Sequence, residues 1–150
     1  MRGRGSLGLQ IDSMVRFVII TLSLAAFGLS LAFPAIVVDP PEDSYWGGIC
    51  LLIGWVSVLE FWPMWLANPL LLLCLIFLGC KKYRVALVLG LAAIAFALCT
   101  LSITQMLRDE GGTMNKVTGF GVGFYLWLLS IVIPTVGSLI MVLERKQPPD

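Results

Sequence analysis

Residues 81–107 read KKYRVALVLGLAAIAFALCTLSITQML, a basic cluster followed by an apolar run that contains no charged residue. The hydrocarbon core of a bilayer is about 30 Å thick, and a helix of roughly 20 apolar residues crosses it. Lys and Arg are enriched on the cytoplasmic side of such helices. The stretch therefore predicts a transmembrane helix over residues 85–107 that begins at the cytoplasmic face.

The composition of the whole chain agrees with this prediction. Of the 150 residues, 59% are hydrophobic and only 13% are charged, and the mean hydropathy is +0.95. These values lie far outside the range of soluble globular domains. The net charge of +1 comes without a basic tract, so nucleic acid is not an expected partner. The expected partner is the lipid bilayer.

The distribution of basic residues also predicts the number of membrane crossings. Residues 15–33 and 118–143 are long enough to span, but residues 45–80 are too long for one crossing and barely long enough for two. If that stretch crosses once and the amino terminus is cytoplasmic, Arg108 and Lys116 alone lie outside. The other eight of the ten basic residues then lie inside. The charges predict four crossings in the inner (plasma) membrane with both termini cytoplasmic.

Residues 45–80 divide into a Trp-rich part and a leucine-rich part. The first part, residues 46–62, is rich in Trp, which favours the headgroup level; Gly47 and Gly48 stand at its start and Pro63 follows its end. We expect them to lie on the membrane or to dip into it, while residues 64–80 cross it. The predicted fold class is an all-α membrane protein with four transmembrane helices plus an outer interfacial or re-entrant helix.

The predicted transmembrane domain covers residues 14–143, between a disordered or interfacial extension at 1–13 and a cytoplasmic tail at 144–150. Two alternatives stay open at the amino end. Met14 is itself a credible start of translation. Basic residues before an apolar run that ends near Ser30 also fit a cleaved secretory signal.

Small residues mark the predicted packing face. Ala86, Gly90, Ala93 and Ala97 recur at spacings of four and three, with Thr100 and Thr104 after them. Small side chains let helices approach closely in lipid, where there is no hydrophobic drive between them. Gly119 and Gly123, four residues apart, are expected to act in the same way at the start of the last helix.

Two other interpretations of the glycine-rich stretch are weaker. TGFG at residues 118–121 resembles a potassium-channel filter, but its threonine is one place too close and no pore helix precedes it. A phosphate loop would need a preceding strand and a Gly-Lys-Ser/Thr sequence. A packing face is therefore the favoured interpretation.

Catalytic and metal-binding chemistry is not expected. The chain has no His, and its four cysteines, Cys50, Cys74, Cys80 and Cys99, lack metal-ligand spacing. Neither an enzyme activity nor a cofactor is predicted. The candidate functional polar residues are Glu60, Asn68 and Gln105. Glu60 lies either at the outer headgroup level or deeper, paired with a group such as Gln105 or with a partner chain.

WLANP at residues 65–69, followed by a leucine run, and GFYLWLLS at residues 123–130 resemble small uncharacterised four-helix membrane proteins of bacteria. The resemblance covers residues 45–143 and implies a bacterial inner membrane and no known activity. Our hypothesis is an accessory or structural component that acts by helix packing, in a homo-oligomer or with a larger membrane-protein partner. The alternative is a homo-oligomeric pore with acidic residues at its outer mouth.

Overall fold

The computed structural model describes residues 3–56, 63–107 and 112–144, most of which are helical. Three helical segments are long and apolar enough to cross a membrane, as the sequence predicted, and they are Gln10–Leu31, Tyr83–Ser102 and Val122–Glu144. The α-helices are α1 (Gly3–Leu31), α2 (Gly47–Ile53), α3 (Ala67–Gly79), α4 (Tyr83–Leu98) and α5 (Val122–Glu144).

The fourth predicted crossing corresponds to a shorter helix. A 3-10 turn at Pro63–Leu66 leads directly into α3, which has 13 residues. At 1.5 Å per α-helical residue and 2.0 Å per 3-10 residue, the two together measure roughly 28 Å. This is close to the thickness of a hydrocarbon core, although the segment is shorter than the other three.

The protein is mostly helical, which agrees with the helical part of the predicted fold class, and it also has a small four-stranded antiparallel sheet that was not predicted. Its strands are β1 (Pro34–Asp39), β2 (Tyr45–Trp46), β3 (Gln105–Leu107) and β4 (Met114–Phe120), in the order β2-β1-β4-β3. The helix predicted at residues 85–107 therefore ends earlier, because residues 105–107 form β3. The helix predicted at residues 118–143 begins later, because residues 118–120 belong to β4. The central pair joins β1 to β4, which are about 80 residues apart, with Val38 opposite Val117. A pairing at that separation leaves no periodic signal in the local sequence.

The long helices form a bundle in which α1 and α5 run in opposite directions. α1 packs along α5, with Ser30 near Gly123, Ser23 bonded to Ser130, and Ile19 against Gly137. α4 contacts both α3 and α5. The sheet, α2 and the 3-10 turn lie together at one end of the bundle, which we call the sheet end. The opposite end, with the α3–α4 turn at residues 80–82, is the turn end.

The amino-terminal helix is continuous through the predicted extension. Residues 3–13, expected to be disordered or interfacial, form the first turns of α1. Farther along, one face of α1 is buried at intervals of seven, three and four residues, through Arg16, Ser23, Ala26 and Ser30. Such spacing places these side chains on a single face, toward α3 and α5.

The turn end is closed by backbone hydrogen bonds and one buried arginine. Lys81 has a φ of 62°, and the amides of Lys81 and Lys82 donate to the carbonyls of Leu78 and Phe77 at 3.1 and 2.9 Å. This pattern is a Schellman ending. Arg16 is 9% exposed, and its Nη1 donates to the carbonyl of Gly79 at 2.9 Å. A cation therefore caps the carboxyl end of α3, where the helix dipole favours it.

Candidate binding cleft

The predicted small-residue face lies inside the bundle. Ala86, Ala93 and Ala97 are fully buried, and Gly90 is buried with them. A Cβ added to Gly90 would collide with the side-chain oxygen of Thr135 on α5. The four residues thus pack α4 against its own chain, and this face is not free to meet another protein.

Only one of the two later glycines takes part in helix packing. Gly123 is buried at the start of α5, where a Cβ would lie 2.9 Å from the carbonyl oxygens of Ser30 and Pro34. Gly119 lies instead in β4, opposite Val37, and an added Cβ would meet nothing within 4 Å. The prediction of a helical packing role for Gly119 is corrected, because the alternate glycines of residues 119–123 straddle the end of a strand.

The three polar candidates are not brought together among the described residues. Gln105 is exposed on β3, where it pairs with Lys116. Glu60 lies outside the described residues. Asn68 lies in the first turn of α3, and its Oδ1 accepts a hydrogen bond of 2.8 Å from Nε1 of Trp127. The pairing of Gln105 with Glu60 considered from the sequence therefore has no described geometry.

A cleft of about 150 Å³ opens at the sheet end, between the helix ends and the underside of the sheet. Its walls come from α1, α2, the 3-10 turn, the start of α3, the sheet and α5. No residue in its described lining is charged. Most of the wall is aliphatic or aromatic, and the larger side chains include Phe27, Ile36, Met64, Trp65, Met106 and Phe124.

A few polar groups interrupt this apolar wall. Asn68, Thr100 and Trp127 line the cleft together. Thr100 is 6% exposed, and its buried Oγ1 has no hydrogen-bond partner among the described residues. Trp65 Nε1 donates to the carbonyl of Leu51 at 3.0 Å, which ties α2 to the 3-10 turn across the cleft.

Cys50 on α2 also lines the cleft. Burial raises the pKa of its thiol from 9.0 to about 11, so the thiol is neutral at physiological pH. A neutral, half-buried thiol acts as a small apolar group. Cys50 therefore adds to the uncharged character of the wall.

The sequence analysis named some of the residues that line the cleft. Asn68 is one of its three polar candidates, and it lines the cleft. Thr100 was noted only as a member of the small-residue series. Nothing in the sequence indicated the bond from Trp127 to Asn68, 59 positions away.

Comparison of the chain with protein-family models, with curated proteins and with solved structures finds no match. Among the described residues, no group of three or more His, Cys, Asp or Glu side chains lies close enough to hold a metal ion.

Proposed function

We propose that this protein is a non-catalytic accessory component of a membrane that holds one hydrocarbon chain in the cleft. The observation that carries the proposal is the uncharged, largely apolar wall of the cleft at the end of an apolar bundle. Small-molecule sites are typically concave and apolar, with a few convergent polar groups. A volume of about 150 Å³ has room for a short segment of a hydrocarbon chain, and the open side of the cleft leaves the rest of the chain outside it.

The proposed orientation places the cleft in the outer leaflet. The turn end carries Arg16, Lys81, Lys82 and Arg84, and basic residues favour the cytoplasmic side. Four crossings would then leave both termini in the cytoplasm and the sheet outside, and the length of α3 with its 3-10 turn supports the fourth crossing. The resemblance of the sequence to bacterial proteins favours an inner membrane.

Helix packing has a different part in this proposal from the one first expected. Ala86, Gly90, Ala93 and Ala97 stabilise the bundle that carries the cleft and do not form the surface for a partner. Hydroxyl groups in the bundle are used internally as well: Ser138 and Thr135 donate to carbonyls of their own helix. No observation in the described residues favours the pore alternative, so we do not carry it further.

A larger side chain at Cys50 tests whether the cleft binds lipid. In Cys50→Phe the larger side chain would occupy the cleft, whereas Ile49→Phe makes a similar change at a neighbouring position that is 45% exposed. The full-length protein is purified in a mild detergent, and retained lipid is counted by native mass spectrometry. We expect one lipid on the wild type and on Ile49→Phe, and none on Cys50→Phe.

Two results would contradict the proposal. One is a wild type that retains no lipid although it is folded. The other is equal retention by the two variants, which would place the lipid elsewhere on the protein.

A further inference from the structure

We infer that the turn end binds an anionic phospholipid, with the phosphate at Lys81, Lys82 and Arg84 and an acyl chain along the outer face of α4. This site is separate from the cleft, which lies at the opposite end of the bundle. The inference is carried by two observations that meet at one place. One is a group of exposed cations, and the other is an exposed apolar surface that begins beside them.

The cations lie within four residues of one another, where α3 and α4 meet. Lys81, Lys82 and Arg84 are all exposed. Lys82 also contacts α3, with its Nζ 5.7 Å from the centre of the Phe77 ring, a distance at which an ammonium group is attracted to an aromatic ring. The three side chains are therefore available to an anion at this end of the helix pair.

The backbone beside these cations does not oppose an anion. Free carbonyls at the carboxyl end of α3 would repel a phosphate, but the carbonyls of Leu78 and Gly79 accept hydrogen bonds from a turn amide and from Arg16. The buried guanidinium of Arg16 adds another positive charge. Asp12 and Glu144 are the acidic residues at this end among those that the structure describes, so cations outnumber carboxylates there.

An apolar surface continues from the cations along the outside of α4. Its residues are exposed and follow one another at spacings of four and three, which place them on a single face of the helix, and they are Arg84, Val88, Leu91, Ala95 and Leu98. Val88 and Leu91 are 66% and 55% exposed. At 1.5 Å per residue, this outer stripe is roughly 21 Å long, enough for the chain region of one leaflet, which is about half of a 30 Å core.

The order of charge and apolar surface selects an amphiphilic anion. In a bundle that spans the membrane, a phospholipid has its phosphate at the boundary of the hydrocarbon core and its chains alongside the helices, in the same order as the cations and the outer stripe. Basic clusters next to a membrane helix attract anionic lipids. A zwitterionic lipid has no net charge, and a soluble phosphate gains nothing from the stripe.

The experiment measures the lipid preference of the full-length protein in detergent. Dioleoyl phosphatidylglycerol and dioleoyl phosphatidylcholine, which have the same chains, are titrated and counted by native mass spectrometry. The outer stripe is open to exchange, so this lipid is counted beyond any lipid retained through purification. We expect the wild type to bind phosphatidylglycerol about tenfold more tightly or better, since each basic residue near an anionic membrane surface contributes roughly fivefold.

Arg84→Gln is the decisive variant, because it removes one charge from an exposed residue at the start of the outer stripe. We expect it to lower the preference roughly fivefold, while Arg84→Lys keeps the charge and most of the preference. Lys116→Gln removes a charge from an exposed position at the sheet end and should leave the preference unchanged. Cys50→Phe should also leave it unchanged, because the cleft lies at the other end.

Four results would overturn the inference. The wild type could bind the two lipids equally, or Arg84→Gln and Lys116→Gln could have equal effects, which would indicate a general attraction of charge. A folded Cys50→Phe without the preference would place the anion in the cleft. Competition by sn-glycerol 3-phosphate as strong as that by the phospholipid would indicate a soluble phosphate. Lipid retention in the cleft is a separate measurement, so the failure of one proposal does not decide the other.

Discussion

At the scale of single residues, the most informative contact joins α1 to α5 through a proline. Pro134 has no N–H, so the carbonyl of Ser130, four residues earlier, loses its helical partner. Ser23 is fully buried on α1, and its hydroxyl donates to that carbonyl at 2.7 Å. In a membrane a freed backbone carbonyl must find a partner within the protein, and here another helix supplies it.

This contact predicts that Ser23 and Pro134 are coupled. Ser23→Ala should lower the free energy of unfolding by about 1 kcal/mol, as is usual for an interhelical hydrogen bond in a membrane protein. In a Pro134→Ala background the restored N–H can bond to Ser130, so the same change should cost clearly less. Unfolding of the four proteins in detergent completes the double-mutant cycle. An equal cost of Ser23→Ala in both backgrounds would refute the coupling.

Gly90 gives a second prediction at this scale. A Cβ at this position would collide with Thr135, so Gly90→Ala should destabilise the bundle by about 1 to 3 kcal/mol through overpacking. Gly28→Ala on α1 is the matched control, because nothing lies within 4 Å of its added Cβ and Ala favours a helix. Thermal unfolding in detergent should separate the two variants. Similar midpoints for both would mean that α4 and α5 are not this close.

At the scale of elements, the turn between α3 and α4 places a charged lysine at a backbone position where glycine is favoured. A Schellman ending commonly has Gly at the left-handed position, but this chain has Lys81 there, with a φ of 62°. A side chain in that conformation costs about 1 to 2 kcal/mol. Lys81 instead places a positive charge at the turn end, which is the end that the proposed orientation puts in the cytoplasm.

The turn therefore predicts that Lys81→Gly raises stability by about 1 kcal/mol, because glycine adopts the left-handed conformation without steric cost. Lys81→Ala removes the same charge but keeps a Cβ, and it should bring no such gain. Denaturation midpoints of the two variants in detergent measure the difference. If Ala and Gly stabilise equally, the gain comes from removing the charge and not from the backbone.

At the scale of the whole molecule, the two loops at the sheet end act as one structural unit. The loop after α1 supplies β1 and β2, and the loop after α4 supplies β3 and β4. Buried Asn115 on β4 also donates to Asp43 at 3.2 Å, which adds a side-chain link between the loops. The cleft lies beneath this joined cap, so its shape depends on both loops.

The proposed orientation of the molecule predicts the accessibility of its two ends. In a cysteine-free background, Thr113→Cys near the tip of the β3–β4 hairpin should react with a membrane-impermeant maleimide added to intact cells. Lys82→Cys at the turn end should react only after the membrane is opened. Thr113 is preferable to Gly112, whose φ of 82° disfavours a side chain. Labelling of both from the same side would exclude the four-crossing arrangement.

The amino-acid sequence by itself determined the three segments that are long and apolar enough to cross a membrane, and the buried face of α4. These properties follow from the length of each apolar run and from residue spacings of three and four, which place side chains on one face of a helix. Asn68 was also named from the sequence, as one of three polar candidates.

Tertiary structure alone decided the sheet, the packing partner of α4 and the cleft. The pairing of β1 with β4, the bond from Trp127 to Asn68 and the bond from Ser23 to Ser130 each join residues that are far apart in the chain. Strand pairing needs a complementary edge, and a cleft needs walls from several elements. Both conditions depend on where distant segments meet, so neither leaves a pattern in any single stretch of the sequence.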